Sequence, residues 1–244
     1  MIKNKLGYFK VFLLVLLVGF LFAFSTKRNA VRKTSEPIII FSDDDSLNNN
    51  LFVTHETVSK LLIQNKETVA DKPKEIIDLN ELENALNSNP MIKQAEVYMT
   101  VDGLITAEIE QKKPIARVST NASYYIDDQG LFMPLSINHS ARVPLVSGHI
   151  EKNNLETVYA VAKKVQEDEF LRSHVIEIVQ DLDGTIDLKF RRNDFEVHLG
   201  TLELLDKKVN NLKAFYKKAM RDSILDRYSV VNLEFDKQVI CTKK

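Results

Sequence analysis

The sequence predicts an α+β protein with one apolar helix near its N-terminus, a strand-helix-helix-strand-strand unit and a final region with a largely antiparallel sheet. Three observations predict this class. An uncharged run from Val11 to Phe24 precedes a chain of ordinary globular composition, with 44% hydrophobic and 27% charged residues. Two alternating apolar and polar stretches flank Asp102-Gly103, which is the pattern of a β-hairpin. Helical spacing of apolar residues marks several helices, and the longest of them covers Glu203 to Met220.

The apolar run predicts a transmembrane helix over residues 11–25, or over 6–25 if the preceding apolar residues are included. Fourteen helical residues rise only about 21 Å, whereas the longer segment reaches about 28 Å, close to the ~30 Å hydrocarbon core. The longer span requires Lys10 to extend toward the interface. A cleaved secretory signal is the alternative, because Ala23-Phe24-Ser25 resembles a cleavage site. The retained helix is favoured, since Phe22 and Phe24 crowd that site. Either interpretation places residues 34–244 outside the cytoplasm.

The charge distribution excludes one class of partner. Residues 1–33 contain seven basic residues and no acidic ones, so residues 34–244 hold 26 Lys and Arg against 34 Asp and Glu, a net charge of about -8. Domains that bind nucleic acid usually carry the opposite sign, because neutralising phosphates dominates their affinity. The single cysteine, Cys241, also rules out an intramolecular disulfide.

The first globular unit is predicted element by element. Pro37 can begin an edge strand that runs from Glu36 to Phe41. Thr54 is a suitable N-cap for a helix that extends to Ile63, and Asp78-Leu79-Asn80-Glu81 is a capping box for a helix that ends near Asn87. The alternating stretches over 95–101 and 105–109 then form a hairpin with a two-residue turn.

Beyond Pro114 the predicted elements are mostly short strands. One helix is expected near residues 155–166 and the long helix over 203–220. Six Lys or Arg residues between Lys207 and Arg221 lie off the apolar stripe of the long helix, a pattern that allows binding to anionic lipid or to a partner helix. Packing on a sheet with the lysines in water is the favoured interpretation. The chain closes with predicted strands at 231–235 and 238–242, the last of which is expected to be an edge.

The sequence offers no pattern typical of catalysis or metal binding. The five histidines do not occur at helical ligand spacing, and the run Asp43–Asp45 lacks the spacing of a calcium loop. Nucleophile elbows, phosphate-binding loops and dinucleotide fingerprints are absent. A pair of carboxylates for sugar hydrolysis stays open, because it depends on distance in three dimensions. We therefore expect no catalytic residue, no cofactor and no metal.

Several strings in order resemble a known family. The segment from Glu36 to Glu110 resembles a POTRA domain, a unit used for protein contacts outside the cytoplasm. Its match includes Asp78-Leu79-Asn80-Glu81-Leu82 and Asn89-Pro90-Met91-Ile92. The phrase Glu110-Gln111-Lys112-Lys113-Pro114 and the strings Tyr125–Gly130, Val143–Gly148 and Val231–Ile240 resemble the FtsQ/DivIB bacterial cell-division proteins.

This resemblance implies a domain organisation and a non-enzymatic role. It implies a cytoplasmic tail over 1–10, a linker over 26–35, a POTRA domain over 36–112 and an FtsQ-type β domain over 113–244. The protein would sit in the inner membrane at the division septum, with a cytoplasmic N-terminus. It would bind FtsB and FtsL, meet other division proteins through the POTRA domain and link early division proteins to septal peptidoglycan synthesis.

The resemblance also implies a binding surface at the C-terminal strand, which would accept a strand of FtsB. Carried over by position, the surface comprises Glu234, Phe235, Asp236, Lys237, Gln238 and Val239, with the helix 203–220 behind it. Two alternatives are an assembly or secretion factor for outer-membrane proteins that bears POTRA domains, and an exported enzyme that acts on the cell wall. The first usually brings several POTRA units or a barrel, for which 244 residues leave no room.

Overall fold

The computed structural model describes residues 12–24, 33–42, 52–64, 67–152 and 154–244. The chain divides into two compact units, Met1–Gln111 and Lys112–Lys244. The predicted acidic loop with Asp43–Asp45 lies outside the described residues, as do the expected cytoplasmic tail and most of the linker.

Residues 12–24 form a helix, which we name α1. Its apolar side chains, such as Phe22 with 74% of its surface exposed, are open to the surroundings. In the described part of the chain, no helix has both the length and the apolar character needed to cross a membrane. The transmembrane helix predicted over 11–25 is therefore not found among the described residues.

The first unit has the predicted order of strand, two helices and two strands. Its elements are β1 (Ile38–Phe41), α2 (His55–Leu61), β2 (Ile63–Gln64), β3 (Glu67–Thr68), α3 (Leu79–Asn87), β4 (Ile92–Met99) and β5 (Ile105–Gln111). The strands β1, β5 and β4 form a small sheet in that order, with β1 parallel to β5 and β4 antiparallel to it. One side of this sheet and both helices share a core that includes Val58, Leu82 and Leu86.

Local signals in the sequence explain the helix starts of this unit. The Thr54 hydroxyl accepts a hydrogen bond from the backbone N–H of Thr57 at 3.2 Å, and the Asp78 carboxylate accepts from Asn80 and Glu81 at 3.0 and 3.2 Å. Both predicted N-caps are thus confirmed. Helix α2 ends at Leu61 rather than Ile63, because the chain enters the short β2–β3 pair, which the sequence did not predict.

The predicted two-residue hairpin turn is wrong. Strand β4 ends at Met99, and the backbone N–H of Thr100 donates to the carbonyl of Leu104, so Val101, Asp102 and Gly103 form a three-residue loop. Gly103 takes the left-handed conformation, with φ of +90°, that closes such a loop. Val101 is 76% exposed there instead of facing the core.

The second unit consists of β6 (Pro114–Ser119), β7 (Ser123–Asp127), β8 (Phe132–Met133), β9 (Leu145–Gly148), α4 (Glu156–Glu167), α5 (Glu169–His174), β10 (Val175–Gln180), β11 (Ile186–Phe190), β12 (Glu196–Gly200), α6 (Leu205–Arg221), β13 (Tyr228–Asn232) and β14 (Ile240–Lys243). Among the described residues these strands form one large sheet in the order β14-β13-β12-β11-β10-β9-β6-β7-β8. Three of its eight strand pairs are parallel, so the sheet is mixed.

Side chains on one face of the large sheet form the core of the second unit. The register aligns Val118, Val146, Ile178, Leu188, Val197 and Val231 across successive strands. Their side chains pack with the buried stripe of α6, which consists of Val209, Leu212, Tyr216 and Ala219. The predicted apolar stripe is therefore confirmed, although the helix begins at Leu205 and not at Glu203.

The strands predicted at the C-terminus are displaced. Strand β13 ends at Asn232, and β14 starts only at Ile240, so residues 233–239 form a connection between them. Alternation alone predicts that the first strand continues to Phe235. Its parallel neighbour β12 ends at Gly200, whose φ of +68° turns the chain away, and this leaves Glu234 and Phe235 without a strand to pair with.

Candidate functional site at the C-terminal edge strand

Strand β14 lies at one edge of the large sheet and is the candidate functional element. It pairs antiparallel with β13, with Asn232 opposite Ile240 and Val231 opposite Cys241. Among the described residues, no strand lies on its other side. The expectation that the last strand is an edge is confirmed.

The direction of the backbone groups along β14 follows from two observed contacts. The N–H of Lys244 donates to the carbonyl of Arg227 at 2.9 Å, and the Ser229 hydroxyl donates to the carbonyl of Thr242 at 3.3 Å. The backbone N–H and C=O groups of Thr242 and Lys244 therefore point toward β13. Because backbone groups alternate along a strand, those of Cys241 and Lys243 point away from the sheet. An added strand would pair with these outward groups.

The thiol of Cys241 helps to fix this edge. Its side chain packs against the core of the second unit, next to Val231 on the neighbouring strand. Burial raises the pKa of the Cys241 thiol. A thiol of raised pKa is a poor nucleophile, so the role of Cys241 is packing.

The six residues implied by the family resemblance lie together in and around the 233–239 connection, but none of them belongs to β14. Phe235 is 45% exposed, and Lys237 and Gln238 are exposed as well. Asp236 forms an ion pair with Lys207 of α6. Val239 differs from the other five residues, because its side chain is partly buried against the core of the second unit. The structure thus groups these residues beside the edge strand rather than along it.

Glu234 connects this segment to the sheet. Its backbone N–H donates to the Asn232 side chain at 2.8 Å, and its carboxylate lies 3.5 Å from Nε2 of His198 on β12. The methylene of Glu234 also covers Gly200, where an added Cβ would lie only 2.7 Å from its Cγ. Glycine at position 200 therefore permits the close approach of the connection.

His198 lies between two carboxylates. Its Nδ1 is 2.5 Å from Asp187 on β11, and its other ring nitrogen faces Glu234. Partial burial acts to lower the pKa of His198, but the two carboxylates outweigh burial and raise the pKa above its ordinary value. The ring of His198 therefore links β11, β12 and the 233–239 connection, and the two carboxylates favour its protonated form.

A small cavity of about 240 Å³ opens between this connection and the start of α6. Leu204, Phe235 and the stem of Lys207 contribute apolar surface, while Glu203 and Glu234 contribute charge. Lys208 at its base is 7% exposed and donates to the carbonyls of Leu199 and Thr201 at 2.9 and 2.7 Å. Burial lowers the pKa of Lys208. The cavity could receive one side chain of a partner bound along the edge.

Gly200, His198 and Lys208 contribute to this site although the sequence did not point to them. Each acts through a contact with a residue distant in the chain or through a backbone carbonyl, and no local pattern marks such contacts. For Lys208 alone, the sequence contains a weak indication of burial, because this lysine directly precedes Val209 in the apolar stripe of α6. Within the described ranges, no group of three or more His, Cys, Asp or Glu residues is arranged to hold a metal ion.

The fold and the edge define a class: a POTRA-like unit followed by a mixed α/β unit that ends in an open strand. Comparison with protein families agrees with this class. The family described as FtsQ/DivIB, C-terminal related, matches residues 113–242, and a POTRA-like domain matches residues 43–110. No curated protein matches the chain.

The FtsQ/DivIB match covers more than half of the sequence, and the chain belongs to this family. Its members are cell-division proteins that generally work with other division proteins, and its domains and POTRA domains are generally non-enzymatic scaffolds. This membership confirms the family expected from the sequence.

Proposed function

We propose that this protein is a non-enzymatic scaffold of the bacterial division machinery that binds FtsB- and FtsL-like proteins outside the cytoplasm. In this role it links early division proteins to septal peptidoglycan synthesis. The observation that supports the proposal most directly is the open edge at β14, in a chain of the FtsQ/DivIB family. No cofactor is needed for this role.

Strand addition is the binding mode that suits such an edge. A partner strand forms hydrogen bonds with the outward backbone groups of Cys241 and Lys243, and side chains beside the edge supply selectivity. The exposed side chains of Phe235 and Ile240, at 45% and 41%, offer apolar contact at the start of β14. An aromatic side chain in such a position is a common source of binding energy.

The six residues Glu234, Phe235, Asp236, Lys237, Gln238 and Val239 flank the added strand in this proposal. The cavity beside Phe235 and Leu204 would receive a side chain from the same partner. The partner would therefore contact both the backbone of β14 and the connection that precedes it.

The proposed location is the inner membrane at the division septum, with residues 34–244 on its outer side and the N-terminus in the cytoplasm. The apolar side chains of α1 support a role in membrane attachment. Alkaline phosphatase fused to the C-terminus should be active in cells. An inactive fusion, together with a fluorescent cytoplasmic reporter at the same position, would refute this orientation.

The first unit has its own open strands, because β1 and β4 lie at the two edges of the small sheet in the described residues. We propose that it contacts further division proteins and brings the scaffold to the septum. Removal of residues 36–110, which leaves α1 and the second unit in place, should abolish localisation at mid-cell while co-purification of the FtsB-like partner through the second unit persists.

Depletion of the protein in its own bacterium tests the proposed role in division. Loss of a division scaffold should give filamentous cells with unfinished septa, and the full-length protein supplied in trans should restore division. Normal cell length after depletion would contradict the proposal. A bulging or lysing cell of normal length would instead favour an enzyme acting on the cell wall.

A further inference from the structure

Four segments of the second unit converge at the end opposite the 233–239 connection. The hydroxyl of Tyr216 on α6 donates to Asn193 in the β11–β12 turn at 3.0 Å. The ammonium of Lys244 lies 3.4 Å from Asp194 in the same turn, and the backbone of Lys244 pairs with Arg227 before β13. The β11–β12 turn therefore lies next to the C-terminal part of α6, the start of β13 and the end of β14.

These segments collect basic residues, and we name their surface the basic end. The β11–β12 turn contributes Arg191 and Arg192, and α6 contributes Lys217, Lys218 and Arg221. Arg227, Lys243 and Lys244 complete the set, and all eight side chains are exposed. The acidic residues of the same segments are Asp194, Asp222 and Asp226.

The concentration of charge at this end is not a property of the whole unit. Residues 112–244 contain 21 Lys and Arg and 19 Asp and Glu. Eight of these basic residues and three of these acidic residues belong to the basic end, so the remainder has 13 basic against 16 acidic residues. A positive surface is thus set on a unit that is otherwise slightly negative.

Packing and ion pairing explain the lysines in the first half of α6. Lys207 pairs with Asp236, Lys208 binds carbonyls and Lys213 pairs with Asp168. At the end of the helix, Arg221 lies 3.6 Å from Asp222, whereas Lys217 and Lys218 have no ion pair with a described residue. Cations in the last turn of a helix interact favourably with the helix dipole. This interaction accounts for part of the preference for basic residues at positions 218 and 221. The dipole gives no reason for Arg191, Arg192 or Lys243.

An exposed apolar side chain lies within the basic end. Met220 is 60% exposed in the last turn of α6, between Lys218 and Arg221. Exposed apolar and basic side chains together are the composition of surfaces that lie on the headgroup region of a bilayer. Surfaces that bind single-stranded nucleic acid instead use exposed aromatic rings for stacking, and the aromatic Tyr216 beneath this surface is buried.

We propose that the basic end of the second unit binds the surface of a membrane that contains anionic phospholipid. Arg191, Arg192, Lys217, Lys218 and Arg221 contact phosphate headgroups, and Met220 enters the interface. This contact sets the orientation of the unit on the membrane and leaves the 233–239 connection, at the other end of the sheet, facing away from the lipid. The proposal does not depend on which protein binds β14.

Full-length protein in vesicles tests this contact. A fluorophore is attached at Met220→Cys in a Cys241→Ser background, and bromine-labelled lipid reports its contact with the bilayer. Vesicles of phosphatidylcholine alone are compared with vesicles that also contain phosphatidylglycerol. We expect quenching at least several-fold stronger with the anionic lipid, since each cation close to such a surface adds about fivefold to binding.

Salt and charge reversal provide the decisive comparisons. Raising the salt from about 0.1 M to about 1 M shortens the Debye length from about 10 Å to about 3 Å and should remove the added quenching. Lys217→Glu, Lys218→Glu and Arg221→Glu together should also remove it. Arg191→Glu with Arg192→Glu, which leaves α6 unchanged, should reduce it at least tenfold.

A control with the same change of charge carries Lys152→Glu, Lys163→Glu and Lys237→Glu, all exposed and outside the basic end. This control should keep the quenching of the parent protein. Equal quenching in both kinds of vesicle, or anionic quenching that survives both reversals, would overturn the proposal. An equal loss in the control would also overturn it, because net charge and not this surface would then be responsible.

Discussion

At the residue scale, Phe235 is the side chain that should contribute most to the binding free energy of the proposed complex. It is a large aromatic residue that is 45% exposed beside an open strand and lines the cavity at the start of α6. Burying such a ring in a partner contributes on the order of 2 kcal/mol or more to binding. Its exposed position also means that little folding energy is lost when it is removed.

We therefore expect Phe235→Ala to weaken the complex with the FtsB-like partner by about tenfold to hundredfold. The free energy of unfolding should change by less than about 0.5 kcal/mol. Isothermal titration calorimetry and denaturant unfolding measure the two quantities. Phe132→Ala is the matched control, because Phe132 is 38% exposed on β8 at the opposite edge of the large sheet, and it should leave the affinity unchanged.

His198 gives a second prediction at this scale. Its raised pKa means that the folded state binds a proton more tightly than the unfolded state, whose ordinary histidine pKa is about 6.5. The stabilising contribution is therefore complete below that value and is lost as the pH rises through the higher folded pKa. Above the folded pKa, His198 is neutral in both the folded and the unfolded state. Its ion pairs with Asp187 and Glu234 then no longer stabilise the folded state.

Unfolding free energies of the parent protein and of His198→Gln should accordingly differ most in mildly acidic solution. The difference should shrink as the pH rises above neutrality. A difference that stays constant across this window, or that grows with pH, would show that His198 is not held protonated between the two carboxylates.

At the element scale, the connection between β13 and β14 depends on a close approach to β12. Glu234 rests on Gly200, and this contact fixes where the connection leaves the sheet. The connection then carries Phe235 past the start of α6, where Asp236 pairs with Lys207. The position of β12's last residue thus determines the shape of the proposed binding surface.

Gly200→Ala tests this dependence. An added Cβ would lie 2.7 Å from the Glu234 side chain at a φ of +68°, so Glu234 must move and lose its contacts with His198 and Asn232. We expect a loss of stability of about 1 to 2 kcal/mol from the backbone strain, together with an affinity for the partner at least several-fold weaker.

Gly184→Ala is the matched control for backbone strain. Gly184 has a φ of +84° in the β10–β11 turn, and no atom lies within 4 Å of an added Cβ. This variant should lose comparable stability but bind the partner normally. Equal effects of the two variants on binding would contradict a role for the Gly200–Glu234 contact.

Elements that are encoded by adjacent residues were predictable from the sequence. The N-caps at Thr54 and Asp78 and the stripe of α6 all lie in short local patterns. Helix α5 and the β2–β3 pair were missed because each is too short to show a period. The three-residue hairpin loop was missed because Asp102-Gly103 also fits a two-residue turn, and only pairing between Thr100 and Leu104 distinguishes the two.

At the scale of the whole molecule, strand order could not be obtained from local patterns. Strand β9 pairs in parallel with β6 and β10, and β12 pairs in parallel with β13. The chain connects these partners through other strands or through helices, so they are not adjacent in sequence. The same limit applies to the site. The terminal position of β14 predicted an edge, but contacts such as Glu234 with His198 depend on residues far apart in the chain.

The central claim is that the outward backbone of β14 pairs with a strand of a division partner. Lys243→Pro addresses it directly, because the N–H lost by proline points away from β13 and an edge strand tolerates proline at such a position. Phe132→Pro provides the same change on β8, at the opposite edge. The Phe132 backbone also points outward there, since Leu131 bonds to Asp127 on β7.

Calorimetric titration of the full-length protein with the FtsB-like protein of the same bacterium is the decisive measurement. Lys243→Pro should weaken binding at least tenfold, because one backbone hydrogen bond is lost and the ring obstructs the added strand. Phe132→Pro should leave the affinity within about twofold of the parent, a difference below 0.5 kcal/mol. Unchanged affinity of a folded Lys243→Pro variant would contradict binding by strand addition at β14.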